Sequence, residues 1–284
     1  MGRVTVRHRL VAVDTADGSR VQRMDALAGE EPLELRANGE AITLTMRTPG
    51  HDLELLHGFL YTEGVLTGLS DVATARYCDG AVVDAEDGSL RNTYNVMDVA
   101  LSPAATGRLP GAIRNFTTTS SCGVCGQASI EALQAKLPGP ISSDLVVDAD
   151  VVATLPERLR AAQQVFARTG GLHAAALYDP LADTLVVRED VGRHNAADKV
   201  IGHALLAERL PAQDQVLVLS GRISFELVQK AAMAQIPVVV AVSAPSSLAV
   251  QLADELGITL AGFVRDGRMN LYSGADRVRT TVGR

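Results

Sequence analysis

Tryptophan is absent from this 284-residue chain, and all aromatics together make up 4% of it. The core must therefore rest on Ala, Val and Leu. The hydrophobic fraction of 47% excludes global disorder. The length suits one large domain or two ordinary ones. The formal net charge of −7 argues against a general nucleic-acid binder, which would carry a basic surface. A local basic pocket remains compatible with it. No stretch approaches the roughly 18 apolar residues of a membrane span. The apolar run Ile236 to Val242 soon meets Ser243 and Pro245. No long apolar region follows the N-terminal residues Met1 to Arg9, so no secretory signal is expected. Gly2 is present, but Val6 stands where a myristoylation pattern needs Ser or Thr. Only three cysteines occur, and without a signal they point to a reducing, cytoplasmic setting. No Gly-x-x-x-x-Gly-Lys-Ser/Thr run exists, and no Gly-x-Gly-x-x-Gly follows a strand. A P-loop and a standard dinucleotide fold are therefore not expected.

Two of the three cysteines stand together in Ser121-Cys122-Gly123-Val124-Cys125-Gly126. Thiols at this spacing can form a redox pair, half a zinc site or a sulfur-handling pair. Such chemistry needs a thiolate, which a helix N-terminus favours by lowering the thiol pKa. Residues Gln127 to Lys136 are mostly good helix formers, so the pair is expected just before or at a helix start. A buried structural pair is the plain alternative.

The first third reads as mostly strand. Val4 to Val13, Leu33 to Arg36 and Ile42 to Met46 carry the β pattern, with Asn38-Gly39 as a hairpin turn. Thr48-Pro49-Gly50 ends that run, and an amphipathic helix is expected from His51 to near Gly64. Strand-like pieces return at 75–78, 81–83 and 94–99. The Pro-, Gly- and Ala-rich stretch Ser102 to Gly111 is the candidate linker. The expected division is a β-rich N-terminal domain, 1–112, and an α/β domain, 113–284, starting at the cysteine loop. A helix is expected over Leu155 to Ala167, with Pro156 in its first turn and Thr154 as cap. A strand pair follows across Asp179-Pro180. Helices over 196–208, 225–234 and 247–256 then alternate with strands at 216–219, 238–242 and 258–263. That rhythm predicts a mainly parallel sheet covered on both faces, an α/β class within an α+β whole.

Ligands in such folds bind beyond the carboxyl ends of the parallel strands. Three segments fall there: Ser220-Gly221-Arg222, Ser243 to Ser247, and Arg265-Asp266-Gly267-Arg268. Backbone N–H groups at helix starts bind anions, and arginines clamp phosphate bidentately. Each segment alone is most simply a capped helix or a solvated turn. Three in matching positions favour an anionic ligand. Glu189-Asp190-Val191-Gly192-Arg193-His194-Asn195 precedes a helix that Asn195 could cap, with Asp198 in its first turn. His194 could orient a ligand or move a proton, or hold the helix start. His173, after Gly170-Gly171, reads more simply as structural.

A structural zinc site needs four ligands. Beyond the pair only Cys78 remains, so a histidine such as His173 or His194 would have to complete it. Zinc deaminases carry His-x-Glu and a later Pro-Cys-x-x-Cys. Here Ser121 precedes Cys122, and His51-Asp52-Leu53-Glu54 has the wrong spacing, so the deaminase metal motif is broken. A thioredoxin-like role lacks its β-α-β opening.

Several motifs together resemble one family. They are Glu31-Pro32-Leu33, Asn38-Gly39, Met46-Arg47-Thr48-Pro49-Gly50, Gly58-Phe59-Leu60-Tyr61-Thr62-Glu63-Gly64, the cysteine loop, Gly171-Leu172-His173, the run Glu189 to Asn195, Ser220-Gly221-Arg222 and Gly262-Phe263-Val264-Arg265. In order and over nearly the whole chain, they resemble the FdhD family of sulfurtransferases, accessory proteins of formate dehydrogenase. The resemblance implies a sulfur carrier. It would accept sulfur from a cysteine desulfurase as a persulfide and pass it to the molybdenum cofactor in its bis-molybdopterin guanine dinucleotide form. That cargo would then enter formate dehydrogenase. It also implies a C-terminal domain like that of cytidine deaminases without their zinc, and a homodimer. Cys122 would hold the sulfur, and Cys125 could assist release by forming a disulfide. Phe263, Val264, Arg265, Asp266, Gly267 and Arg268 best match the family's cofactor-binding segment, with Asn270 and Tyr272 close behind. Ser220, Gly221, Arg222, His194 and Asn195 complete the candidate site. A cofactor-binding chaperone without sulfur chemistry and a zinc-stabilised binding module are the competing readings.

Overall fold

Residues 3–78, 81–83, 90–92, 94–116 and 137–280 are described by the computed structural model. The chain opens with an antiparallel ribbon, β1 (Thr5–Val13) and β2 (Arg20–Ala28). The hairpin of β3 (Glu31–Ala37) and β4 (Glu40–Arg47) follows. Its turn is the expected Asn38-Gly39, both residues at positive φ (52° and 85°), as a two-residue hairpin loop requires. Helix α1 (Asp52–Thr62) comes next, then β5 (Val72–Tyr77) and the short pair β6 (Ala81–Val83) and β7 (Leu90–Asn92). Strand β8 (Val96–Leu101) completes a four-stranded sheet of order β4-β3-β8-β5. Leu33, Leu35, Met97 and Val99 of this sheet bury against Leu55, Leu56 and Leu60 of α1.

The expected linker is instead a helix, α2 (Pro103–Phe116). Pro103 supplies a preset φ at the first helical position, where its missing N–H is not needed. The Ser102 hydroxyl accepts from the amide of Ala105, and Ala105 and Leu109 bury against the N-terminal core. Composition alone misled here, because tertiary packing outweighs the helix-propensity penalty that Pro and Gly carry.

Past β9 (Val147–Asp148), helix α3 (Ala149–Ala162) starts six residues before the expected Leu155. Pro156 sits within it, and Thr154 bonds back to the Val151 carbonyl rather than capping. A short helix α4 (Gln164–Thr169) follows the break at Gln163. Strands β10 (His173–Asp179) and β11 (Thr184–Asp190) form the expected hairpin. Then come α5 (Arg193–Leu206), β12 (Val216–Leu219), α6 (Phe225–Met233), β13 (Val238–Ala241), α7 (Ser247–Leu256), β14 (Thr259–Arg265), β15 (Arg268–Ser273) and β16 (Val278–Arg279).

The main sheet runs β11-β10-β12-β13-β14-β15. It is mixed rather than mainly parallel: only β12–β13 and β13–β14 pair in parallel, and hairpin strands flank them. Every residue of β12 and β13 is buried. Helices α5, α6 and α7 cover one face, and α3 covers the other through Val152, Leu155 and Leu159. No helix among the described residues is long and apolar enough to cross a membrane.

The two halves are joined through α1 and α5, which meet backbone to backbone at Gly58 and Gly202. Charged groups are buried along this seam. Arg47 pairs with Asp52 (3.0 Å), and Lys199 pairs with Asp190 (2.7 Å). Lys230 bonds Asp198 at 2.8 Å, and Asp198 also accepts from the Thr62 hydroxyl. Burial alone would raise the Glu54 pKa. Arg188, His51 and His203 outweigh that, and hold its carboxyl well below the usual carboxylate range.

Candidate functional site

The carboxyl ends of β12, β13 and β14 open onto a cavity of about 790 Å³. Helices α3 and α4 wall its far side through Leu159, Arg160 and Phe166. The Arg160 guanidinium lies over the Phe166 ring, 4.0 Å from its centroid. Leu172, Val191, Val242 and Val264 add an apolar lining. Polar groups are few: Glu157, Arg160, Gln163, His173, Ser220 and Arg265. An apolar cleft with a handful of convergent polar groups is the usual form of a small-molecule site.

The three segments expected at these strand ends are stitched together. The Ile223 amide donates to Ala244, and Ser246 returns a bond to Ile223. The Phe263 amide donates to the Ser243 carbonyl. Ser220 is fixed twice to Ala174, its hydroxyl accepting the Ala174 amide at 2.8 Å. Ser246 caps α7 by accepting from Ala249. Asp266-Gly267 forms the tight turn of the β14–β15 hairpin at positive φ (51° and 69°), with Arg265 directly opposite Arg268. Among the described residues, Arg222, Arg265 and Arg268 form no ion pair, and all three are exposed. Such guanidiniums are available to an anion.

Of the residues singled out from sequence, Ser220, Val264 and Arg265 line the cavity. Phe263, Asp266, Gly267 and Arg268 continue the same hairpin, and Gly221 and Arg222 lead into α6. His194 stands beside that start: its Nε2 lies 2.8 Å from a Glu226 oxygen and 3.3 Å from the Ser224 hydroxyl. Its hydrogen bond holds the Glu226 carboxyl below the ordinary value. Asn195 does not cap α5; Gly192 is the N-cap, and no side chain serves it. Instead the Asn195 amide donates to the Met46 carbonyl (2.8 Å) and to Asp190 (3.0 Å). Cys122 and Cys125 lie outside the described residues.

The run Glu189 to Asn195 is chiefly a clamp. Glu189 accepts from the amides of Val165 and Phe166 at the start of α4, and so fixes one cavity wall. Asp190 accepts from the Thr48 amide (3.1 Å), and the Thr48 hydroxyl accepts from Val191. Thus Met46-Arg47-Thr48 and Asp190 to Asn195, motifs about 140 residues apart in sequence, recognise each other directly.

Sequence reasoning missed Gln163, Arg160 and Phe166, because a helix was expected to run unbroken through them. It also read His173 as structural, whereas His173 lines the cavity. Burial, followed by the nearby charges of Arg193 and His194, lowers its pKa from 6.5. His173 is therefore expected to titrate below 6.5 in an NMR pH series, and a value at or above 6.5 would show that its ring is not desolvated.

Comparison with known proteins agrees with this architecture. A protein from Nocardia farcinica named sulfur carrier protein FdhD is 51% identical over 280 residues, covering 98% of this chain and 96% of its own. Proteins of the same name from Streptomyces coelicolor and Mycobacterium tuberculosis are each 53% identical. They cover 100% and 98% of this chain, and 99% and 100% of their own lengths. A crystal structure from Desulfotalea psychrophila, of a protein proposed as a formate dehydrogenase accessory protein, superposes with a TM-score of 0.74 at 21% identity. It covers 98% of this chain and 100% of its own, and shows that the fold is shared. The FdhD/NarQ family matches residues 28–279, nearly the whole chain, and the chain belongs to that family.

Proposed function

We propose that this chain is a sulfur carrier that serves the maturation of formate dehydrogenase. The observation that carries this reading is the 51–53% identity, over essentially the full length, to relatives named sulfur carrier protein FdhD. The cysteine pair supplies the chemistry and the cavity supplies a place for cargo. The Cys122 thiolate attacks the terminal sulfur of a cysteine desulfurase persulfide, and the desulfurase thiolate leaves. Cys122 then carries the persulfide. Attack by the Cys125 thiolate on the Cys122 sulfur releases hydrosulfide and leaves a Cys122–Cys125 disulfide. The sulfane sulfur is thereby reduced by two electrons and the thiol pair oxidised by two. A dithiol reductant reopens the disulfide. The recipient is the molybdenum cofactor in its bis-molybdopterin guanine dinucleotide form, held as cargo. Arg265, Arg268 and Arg222 suit its pyrophosphates, and the apolar cavity suits one flat ring system. Formate dehydrogenase is the proposed end user, and a homodimer the proposed assembly.

Intact-protein mass spectrometry after incubation with a cysteine desulfurase and cysteine tests the reading. Wild type is expected to gain one sulfur that reductant removes, and Cys122→Ala is expected to gain none. In a complementation assay the same variant is expected to yield no active formate dehydrogenase. A reduced wild type that gains no sulfur, with cofactor binding intact, would instead favour a cofactor chaperone without sulfur chemistry.

A further inference from the structure

Among the described residues, the β1–β2 ribbon is a sheet of two strands that no third strand joins. A pair of this kind is only marginally stable alone in water and gains by being covered. Of the sixteen large apolar side chains left exposed among the described residues, seven lie between Val4 and Leu27. Apolar groups gathered in this way mark an interaction surface. Directly opposite residues of an antiparallel pair share a face, so the register sorts the charges. Arg7, Arg9, Val11 and Val13 lie on one face with Met24 and Arg20, and no acidic residue of the ribbon shares it. Val11, Val13 and Met24 are 53%, 55% and 55% exposed. The three arginines are exposed too, and form no ion pair among the described residues. Asp25 lies on the other face, opposite His8. Residues 3–28 hold five arginines against three aspartates, in a chain whose formal net charge is −7.

The foot of the ribbon is fixed beside the cavity. The Gly29 amide donates to the Val4 carbonyl (2.8 Å), β2 packs on α4, and Ala28 meets Gly171. Phe166, Gly170 and Gly171 line the cavity, and both glycines are exposed. The ribbon therefore stands at the cavity rim, and a protein that collects the cavity's contents must approach beside it. We infer that the arginine face of this ribbon is the docking surface for the protein that takes over the cargo, and that this partner presents an acidic surface with an apolar centre. Charge complementarity sets that chemistry. Unpaired guanidiniums repel a basic partner and steer an acidic one, and Val11, Val13 and Met24 supply the apolar contact. The sulfur donor does not collect the cargo, so the place at the rim selects the recipient. This inference rests on the proposed carrier function, in which the recipient is formate dehydrogenase.

The test immobilises purified cofactor-free formate dehydrogenase and, separately, a cysteine desulfurase. Binding of the full chain to each is measured by surface plasmon resonance at about 0.05 M and about 0.5 M salt. Wild type is compared with the triple variant Arg7→Glu, Arg9→Glu, Arg20→Glu and with its neutral counterpart, Arg7→Gln, Arg9→Gln, Arg20→Gln. At low salt the glutamate variant is expected to bind formate dehydrogenase about tenfold or more weakly than wild type, with the glutamine variant between them. High salt should narrow the difference. Sulfur loading by the desulfurase, read by mass spectrometry, and the thermal midpoint should match wild type, and the glutamine variant decides if charge reversal impairs folding. Wild-type affinity in both variants overturns the inference. So does weakened binding to the desulfurase, which would make the ribbon the donor's site, or a changed oligomeric state in light scattering, which would make it a contact between copies of this chain. A wild type that loads sulfur but does not bind formate dehydrogenase overturns the inference and leaves the carrier reading intact. A wild type that does neither overturns both.

Discussion

Replacing Lys199 by methionine should lower the unfolding free energy by about 3–5 kcal/mol, the typical effect of stripping one partner from a buried ion pair. Both side chains are out of water: that of Lys199 is 1% exposed and that of Asp190 is 0% exposed. Methionine keeps most of the volume and removes only the charge and its donors. Asp190 would be left with the Thr48 and Gly192 amides and the Asn195 side chain. The Thr48 carbonyl would lose its Nζ donor at 2.9 Å. Against a total stability of roughly 5–15 kcal/mol, such a loss is large. Because the pair is buried, the difference between wild type and variant should change little between low salt and about 0.5 M salt, unlike that of a surface bridge. Asp190→Asn in the methionine background should recover part of the loss by removing the unpaired charge. With no tryptophan to report, urea unfolding is best followed by circular dichroism. A loss under about 1 kcal/mol, or one that salt erases, would show that this pair does not clamp the two halves.

The reach of the sequence followed the physics of each element. Where one residue type dictates a backbone conformation, the reading held. Asn38-Gly39 is the turn of the β3–β4 hairpin, and the 247–256 helix begins behind its Ser246 cap. Strands β12 and β13 were legible because burial on both faces demands a continuous apolar run. Strand β2 was not, because the ribbon is wet on both sides and Arg20 to Asp25 has no apolar alternation to read. The hydrophobic rhythm also says nothing of strand direction. The mixed sheet follows from two short hairpin connections, at 180–183 and at 266–267.

The site was half legible for a related reason. Loops at strand ends follow from topology, and all three segments were placed where they belong. The use made of Glu189 to Asn195 depends on residues brought from the other half of the chain, which no local pattern encodes. Gln163 escaped because a polar residue between helical stretches looks solvated until the fold buries it.

Gly202→Ala is expected to be the most damaging single methyl addition in the described part of the chain. A Cβ at Gly202 would lie 1.8 Å from the Glu54 carbonyl oxygen and 2.7 Å from the Gly58 amide nitrogen. At Gly58 the picture is reciprocal: 1.8 Å from the Asp198 carbonyl and 2.8 Å from the Gly202 nitrogen. These are backbone atoms of two helices, so no side chain can swing away. Carbon and oxygen need about 3.3 Å, so α1 and α5 would have to part by on the order of 1.5 Å. The same movement would stretch the contacts that cross the seam, Glu54 with Arg188 and Thr62 with Asp198. Overpacking of a close contact destabilises by about 1–3 kcal/mol, and more where the backbone cannot yield. Gly202→Ala is therefore expected to lower the thermal midpoint by about 5–10 °C or to give little folded protein. Gly107→Ala supplies the control. It lies within α2, nothing among the described residues stands within 4 Å of its added methyl, and it should gain about 0.5–1 kcal/mol from helix propensity. Thermal unfolding of both variants separates steric from conformational effects. If Gly202→Ala melts with wild type, the two helices do not pack at the backbone contact that joins the halves.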